Sequence, residues 1–458
     1  METERKIYIG GSMSIKNRPS VVITGPFTSR SGYGEHARDI FHSLRLLNKF
    51  NIKLFDVRWG NCPRNALNLR DGKDLIVSES IVVDPNLISG HNSPDIYIDV
   101  RIPNEFQPIG KFFNIGITAG IETTAVSQQW LEGCNRMDML IVPSNHSKKA
   151  FVDTAFDKLE KLPTGGNHKV GELKLEKPME VLFEGSDDSI YKQLKIDEMD
   201  KNVLDDINSI VKEDFAFLFV GHWIKGNYGE DRKDVGRMIK LFYETFANQK
   251  KQPAIVLKTS GATFSVIDKE SIISKINNIK NQFPSDWNLP NIYLLHGDLT
   301  DSEMNSLYNH PKIKTMLSFT HGEGYGRPLQ EATMAGLPVI ASGWSGQVDF
   351  LDPANCILLQ GTLNNVPESA VWENIIIPES KWFTVDETQA KDAMRYAFKN
   401  SFDFKTNALK LMNKNHSKFT HKHMTEKLGE ILDKHMENID MKQPEHKKIK
   451  LPKLKKIN

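Results

Sequence analysis

The chain has 458 residues, 39% hydrophobic and 26% charged, with a formal net charge of +1 at pH 7. That length exceeds one ordinary core and fits two domains plus a tail, and no apolar run approaches the ~18 residues of a membrane span. The opening METERKIYIGGSMSIKNRP has no apolar stretch ahead of a small-residue cleavage site, so it does not read as a secretory leader. Cys62, Cys134 and Cys356 lie far apart in no metal-binding spacing, which fits incidental thiols in a reducing, cytoplasmic setting.

Short β-branched runs alternate with amphipathic stretches along the chain, the pattern of α/β layers with parallel sheets. SVVITGP reads as a buried strand leading into FTSRSGYGEHARDIFHSLRLL. There a loop with Gly32 and Gly34 opens a helix whose apolar positions Ile40, Phe41, Leu44 and Leu47 recur at helical spacing. FFNIGITAG and MDMLIVPS are two further strands, and Ser144 is placed to cap the helix after the second. EVLFEGSDDSIYKQLKIDEMDKNVLDDI closes one strand and then turns polar, as a hinge would. The pattern restarts near residue 200 with FAFLFVGHW and continues through AIVLKTSG, IYLLHGD, KTMLSFT and LPVIASG. A second doubly wound domain facing the first is expected, with ligands beyond the carboxyl ends of the strands. From residue 441 the chain reads MKQPEHKKIKLPKLKKIN, with seven lysines against one glutamate, a disordered basic tail. Its two readings are a solubilising terminus and attraction to nucleic acid or an anionic surface.

The segment HGEGYGRPLQEATMAGLPVIASGWSG carries the chemistry. Its spacing predicts loop, helix, turn and strand, with Pro328 at the first helical position, Gly336 just past the helix end and Glu331 in the first turn. Loop glycines and helix N-terminal amides form a natural seat for a phosphate group. Glu323 and Glu331 on either side suit hydroxyls, as a ribose and a sugar offer them, and call for no metal between them. The bland alternative for Glu331 is an acid that only offsets a helix dipole, worth about 0.3 to 1 kcal/mol.

Glu323 and Glu331, with Gly324, Tyr325, Gly326, Pro328, Ala332, Gly336, Pro338 and Val339, make an E-x7-E composite. This composite resembles the donor site of group 1 glycosyltransferases (glycosyltransferase family 4). The resemblance runs in the same order through GPFTSRSGYGEHARDIF, MLIVPSNHSKKAF, VLFEGSDDSIY, LHGDLTDSEMNSLY and FTHKHMTEKLGEIL, leaving out about the last twenty residues. It implies an α/β protein of GT-B architecture, two facing Rossmann-like domains with a cleft between them. Residues 1–200 would form the acceptor-side domain, 201–400 the nucleotide-sugar donor domain, 401–440 a terminal helical segment and 441–458 the basic tail.

The activity so implied is retaining transfer of a hexosyl or pentosyl group from a nucleotide diphosphate sugar to a hydroxyl acceptor, with neither a cofactor nor an obligatory metal. By the same resemblance Glu323 contacts the donor sugar, Glu331 the ribose, and the amides of Gly324, Tyr325 and Gly326 the sugar or diphosphate. Lys233 stands at the family's lysine position. At the family's arginine position the chain departs, having His222 or Trp223 after the glycine; Arg232 is the substitute, and Lys258 is a further phosphate ligand. Gly32 and Gly34 approach the diphosphate from the other domain. GITAGIETTAVSQQW has no histidine where many relatives carry one, and Glu122 is assigned there to the sugar or acceptor. His36 is assigned a structural role.

Acceptor choice falls to the loops at 59–73, 101–107 and 122–130, whose polar composition suits a carbohydrate more than a lipid tail. Two alternatives stand beside this. The acceptor is a hydroxylated base in DNA, with the lysine tail supplying salt-sensitive affinity, or the protein is a catalytically silent nucleotide-sugar scaffold. An epimerase or a phosphorylase of the same fold matches the donor motif less well.

Overall fold

The structure, a computed structural model, describes residues 18–161, 166–224, 228–261, 263–437 and 439; the basic segment 441–458 lies outside them. In chain order the first half holds β1 (Ser20–Gly25), α1 (Gly32–Leu47), β2 (Asn51–Asp56), α2 (Gly72–Ser80), β3 (Ile96–Val100), β4 (Phe113–Ile117), α3 (Gln128–Asn135), β5 (Met139–Val142), α4 (Asn145–Asp153), the hairpin β6 (Ala155–Lys161) and β7 (Asn167–Lys174), and β8 (Met179–Val181). After α5 (Lys201–Ile210) come β9 (Ala216–His222), α6 (Val235–Phe246), β10 (Ala254–Ser260), α7 (Val266–Lys280), β11 (Ile292–Leu295), α8 (Asp301–Asn309), β12 (Ile313–Ser318), α9 (Arg327–Met334), β13 (Val339–Ser342) and β14 (Ile357–Leu359). A second hairpin, β15 (Gly361–Asn365) and β16 (Lys381–Val385), precedes α10 (Glu387–Lys399), α11 (Ser401–His416) and α12 (His421–Met436).

Two six-stranded sheets result, ordered β2-β1-β3-β4-β5-β8 and β11-β10-β9-β12-β13-β14, and every pairing within them is parallel. Their central strands are apolar on both faces because helices cover both: all five residues of β3 and of β4 are buried, and all four of β13. One core of the first sheet is built on Ile23, Ile98, Ile115 and Ile141 with Phe27 and Phe41. Part of the second sheet's core is aromatic, with Phe217, Phe219, Phe242 and Phe246 against Leu317 and Ile340. The terminal helix α12 crosses back to the first sheet's side and packs on α1, where Thr425 and His421 both meet Ser43. Among the described residues no helix is long and apolar enough to cross a membrane.

The strand orders dictate where a ligand can sit. In each sheet the chain winds outward from one strand and then returns to that strand's other side. This leaves a crevice beyond the carboxyl ends of β1 and β3 in one sheet, and of β9 and β12 in the other. The loops after β9 and β12 hold residues 223–234 and 319–326, and those after β1 and β4 hold 26–31 and 118–127.

Candidate functional site

Arg232 and Lys233 sit on the loop between β9 and α6, held by Asp231. The Asp231 carboxylate accepts from the Lys233 and Val235 amides at 2.9 and 2.8 Å, and burial pushes its pKa up to about 7. The Arg232 carbonyl accepts from the His321 amide at 2.9 Å, tying the cationic loop to the acidic one. The Lys233 ammonium is bonded to the Glu323 carboxylate, and the two side chains are only 13% and 11% exposed. Burial lowers the lysine pKa and Glu323 opposes that shift. Arg232 points inward: its Nη1 lies 2.6 Å from Oε1 of Glu122, which belongs to the other domain. Burial weakens the Arg232 charge, but Glu122 and then Glu323 outweigh this, so its pKa is raised. Trp223 is fully buried, whereas His222 meets Ser260 and stands near the cationic loop: burial first, then the Arg232 and Lys233 charges, lower its pKa.

The loop after β12 is pinned at both edges. Glu323 donates its amide to Ser345 Oγ at 2.9 Å and its carbonyl accepts from Gly346. The Gly324 carbonyl accepts from Ser144 Oγ at 2.6 Å, so the residue that caps α4 also docks the loop after β12 on the first domain. Among the described residues the amides of Gly324, Tyr325 and Gly326 donate to no protein acceptor. Gly326 has φ +102°, a left-handed turn suited to glycine that starts α9. The Tyr325 side chain is core: it packs on Phe350, and its hydroxyl accepts from Gln330.

Two expectations are corrected in α9. The helix begins at Arg327, one residue earlier than expected, because the turn at Gly326 leaves Arg327 already helical; Pro328 is therefore its second residue. Glu331 consequently lies one turn inside the helix and not in the first turn, too deep to act as a helix-start acid. Its carboxylate accepts from the Tyr308 hydroxyl at 3.2 Å and lies 3.3 Å from Arg327 Nε. Burial raises its pKa well above the usual range, and neighbouring Glu35 adds to that. Gly336, with φ +71°, ends the helix as expected.

Sequence reasoning missed Arg327. It extends from the second domain into a cluster of acids, reaching Asp39 at 2.7 Å, Glu35 at 3.3 Å and Glu184 at 3.5 Å besides Glu331. One guanidinium serves four carboxylates, and burial pushes Glu184 up to about 7. The available signal was the spacing of Glu35 and Asp39, one helical turn apart directly after the glycine loop.

On the first domain, Gly34 is forced by close approach: a Cβ there would lie 2.3 Å from the Ser29 carbonyl oxygen. Gly32 faces open space, and both glycines lie in the first turn of α1 and not in the expected loop, because Ser31 already caps the helix. Between them Tyr33 bonds Thr118 at 2.7 Å and stacks on Trp59 with centroids 4.1 Å apart. Arg30, on the loop before α1, bridges the cleft to Asp298 at 2.8 Å. Lys258 extends from β10 to the Gly297 carbonyl at 2.7 Å and stays apart from the Arg232, Lys233 and Glu323 group, to which no contact joins it among the described residues. His36 is fully buried beside Glu184, and burial holds its pKa down at about 4.

No protein-family model and no curated protein matches the chain. Solved structures do. Anabaena Alr3699/HepE in complex with UDP and glucose aligns over 91% of this chain and 100% of its own, at 12% identity and a TM-score of 0.59. Sucrose-phosphate synthase from Thermosynechococcus elongatus aligns over 91% and 99%, at 10% identity and a TM-score of 0.57. A glycosyltransferase from Rickettsia africae aligns over 92% and 100%, at 13% identity and a TM-score of 0.56. Two parallel six-stranded sheets with flanking helices, matched over nearly the whole of these chains, give this protein the GT-B fold.

Proposed function

We propose that the protein is a retaining glycosyltransferase that moves a sugar from a nucleotide diphosphate sugar to a hydroxyl-bearing acceptor, without a required metal. The observation that carries this reading is the convergence at one switch point of Arg232, Lys233, Glu323 and the undonated amides of Gly324 to Gly326. Two cations and a row of amides suit a diphosphate, and positive charge aimed at the departing group is where electrostatic catalysis gains most. Glu323, once its lysine turns to phosphate, is left to accept hydrogen bonds from sugar hydroxyls. Glu331 would take the ribose, with Arg327 and Tyr308 fixing its carboxylate.

The fold neighbour HepE, solved with UDP-glucose as well as with UDP and glucose, supports the choice of donor class. Lys258, held on the Gly297 carbonyl, serves better at the nucleoside end of the site than at the phosphates. The test is a panel of nucleotide sugars, with free nucleotides as controls, screened by thermal shift and by slow hydrolysis. One donor that both raises the melting temperature and is hydrolysed supports the reading and names the sugar. Stabilisation without any turnover would favour a silent nucleotide-sugar-binding protein instead.

A further inference from the structure

On the loop after β9 each of two neighbouring cations has its own carboxylate. Arg232 and Lys233 come from the same loop, yet they hold carboxylates of different origin: Glu323 from their own domain and Glu122 from the other. All four side chains are at most 30% exposed, so bulk water does little to screen them. A diphosphate carries at least two negative charges and needs both cations. Each carboxylate that holds a cation competes with the diphosphate for it.

Displacement leaves the two acids in different surroundings. Glu323 lies on the donor loop and stays beside the donor whichever cation it loses. Glu122 lies in the segment after β4, and its carbonyl is so close to the donor loop that a Cβ on Gly322 would come within 2.0 Å of it. Its carboxylate, bonded to Arg232 on the loop after β9, is also near enough for its charge to reach Lys233 and Tyr33 in the first turn of α1. A carboxylate released there, with no second cation bonded to it among the described residues, faces whatever enters from the first domain's side.

We infer that Glu122 is a placeholder for the donor diphosphate on Arg232 and, once displaced, the residue that holds a hydroxyl of the acceptor, so that donor binding precedes acceptor binding. This rests on the transferase reading above. In the transfer, the acceptor oxygen bonds to the anomeric carbon as the bond from that carbon to the diphosphate oxygen breaks. The hydroxyl proton passes to the departing diphosphate. Glu122 accepts a hydrogen bond that orients the acceptor, a positional contribution to rate.

The substitution Glu122→Gln preserves shape and removes the competing charge. Binding of inorganic pyrophosphate, measured by calorimetry on the full chain, should tighten by about five- to tenfold, as expected for removing an anion that competes for one guanidinium. Adding Arg232→Gln should erase that gain. With the donor found in the panel, and water as acceptor, hydrolysis by Glu122→Gln at saturating donor should fall at least tenfold. Tighter anion binding with slower turnover is a pair of opposite signs that simple loosening of the fold cannot produce.

Pyrophosphate bound no more tightly by Glu122→Gln than by wild type would overturn the placeholder role. Tighter binding with unchanged hydrolysis would overturn the acceptor role. If wild type hydrolyses no nucleotide sugar, the transferase reading and the acceptor role fall together, while the pyrophosphate comparison still decides the placeholder.

Discussion

Gly324→Ala tests whether the two domains work in the closed arrangement. A Cβ at this position would lie 2.0 Å from the Ala119 carbonyl oxygen and 3.1 Å from the carbon that bears it. Real Cβ atoms essentially never approach closer than 3.0 Å, so the two loops must separate by at least about 1 Å. Neither can give way locally. The obstructing atom is backbone, followed by Gly120 in a left-handed conformation at φ +84°, and the Gly324 carbonyl is itself held by Ser144. The methyl group therefore acts as a spacer between Glu323 on one side and the Glu122 segment on the other. A misplacement of that size costs about a hundredfold in rate when reacting groups must be aligned. Each domain keeps its own core, so the melting temperature should drop by only a few degrees. The assay is turnover of the donor identified by the panel, run beside Gly72→Ala, where a Cβ meets nothing within 4 Å. Wild-type turnover by Gly324→Ala would refute the closed geometry as the working one.

Lys233→Ala and Glu323→Ala should each lower turnover at least tenfold while circular dichroism stays native; wild-type rates in both would remove this pair from the site. Arg327→Met leaves Glu35, Asp39, Glu184 and Glu331 without their shared cation and should destabilise the protein by about 3 to 5 kcal/mol in denaturant titrations. A loss under 1 kcal/mol would mean that the acids are protonated or hydrated and need no counter-charge. His36 has a folded-state pKa near 4, below the ordinary 6.5, because burial disfavours its charged form. The unfolded chain takes the proton first, so its contribution is present above pH 6.5 and is lost as pH falls toward 4. Glu184, raised to about 7, acts in the opposite sense, so the readout is the difference between wild type and His36→Asn: the variant's melting temperature should fall less between pH 7 and 5.

The sequence made the layers legible because both sheets are parallel and buried on both faces, which leaves nearly unbroken apolar runs. SVVITG, FNIGI, MLIV and VIAS could hardly be anything else, and Ser144 capped its helix as its spacing required. The Glu323 loop was legible for the same local reason, since glycines and a proline around a turn state a backbone geometry in one short stretch. Helix register was less so: a one-residue shift in where α9 begins depends on the positive φ of Gly326, and it moved Glu331 out of the first turn. The partners across the cleft were not legible at all. Arg232 and Glu122 are 110 positions apart, Arg327 and Asp39 288, and nothing in the neighbourhood of either member records the other. Such pairs are set by how two separately folded sheets dock, and docking is decided by glycines that remove a side chain, such as Gly322 and Gly324, as much as by charges that attract. The same feature that hid the pairs gives them a use. A salt bridge within one domain depends on that domain's fold alone, whereas Arg232–Glu122 and Arg327–Asp39 depend on how the two sheets dock, so the docking reaches the cations of the site directly.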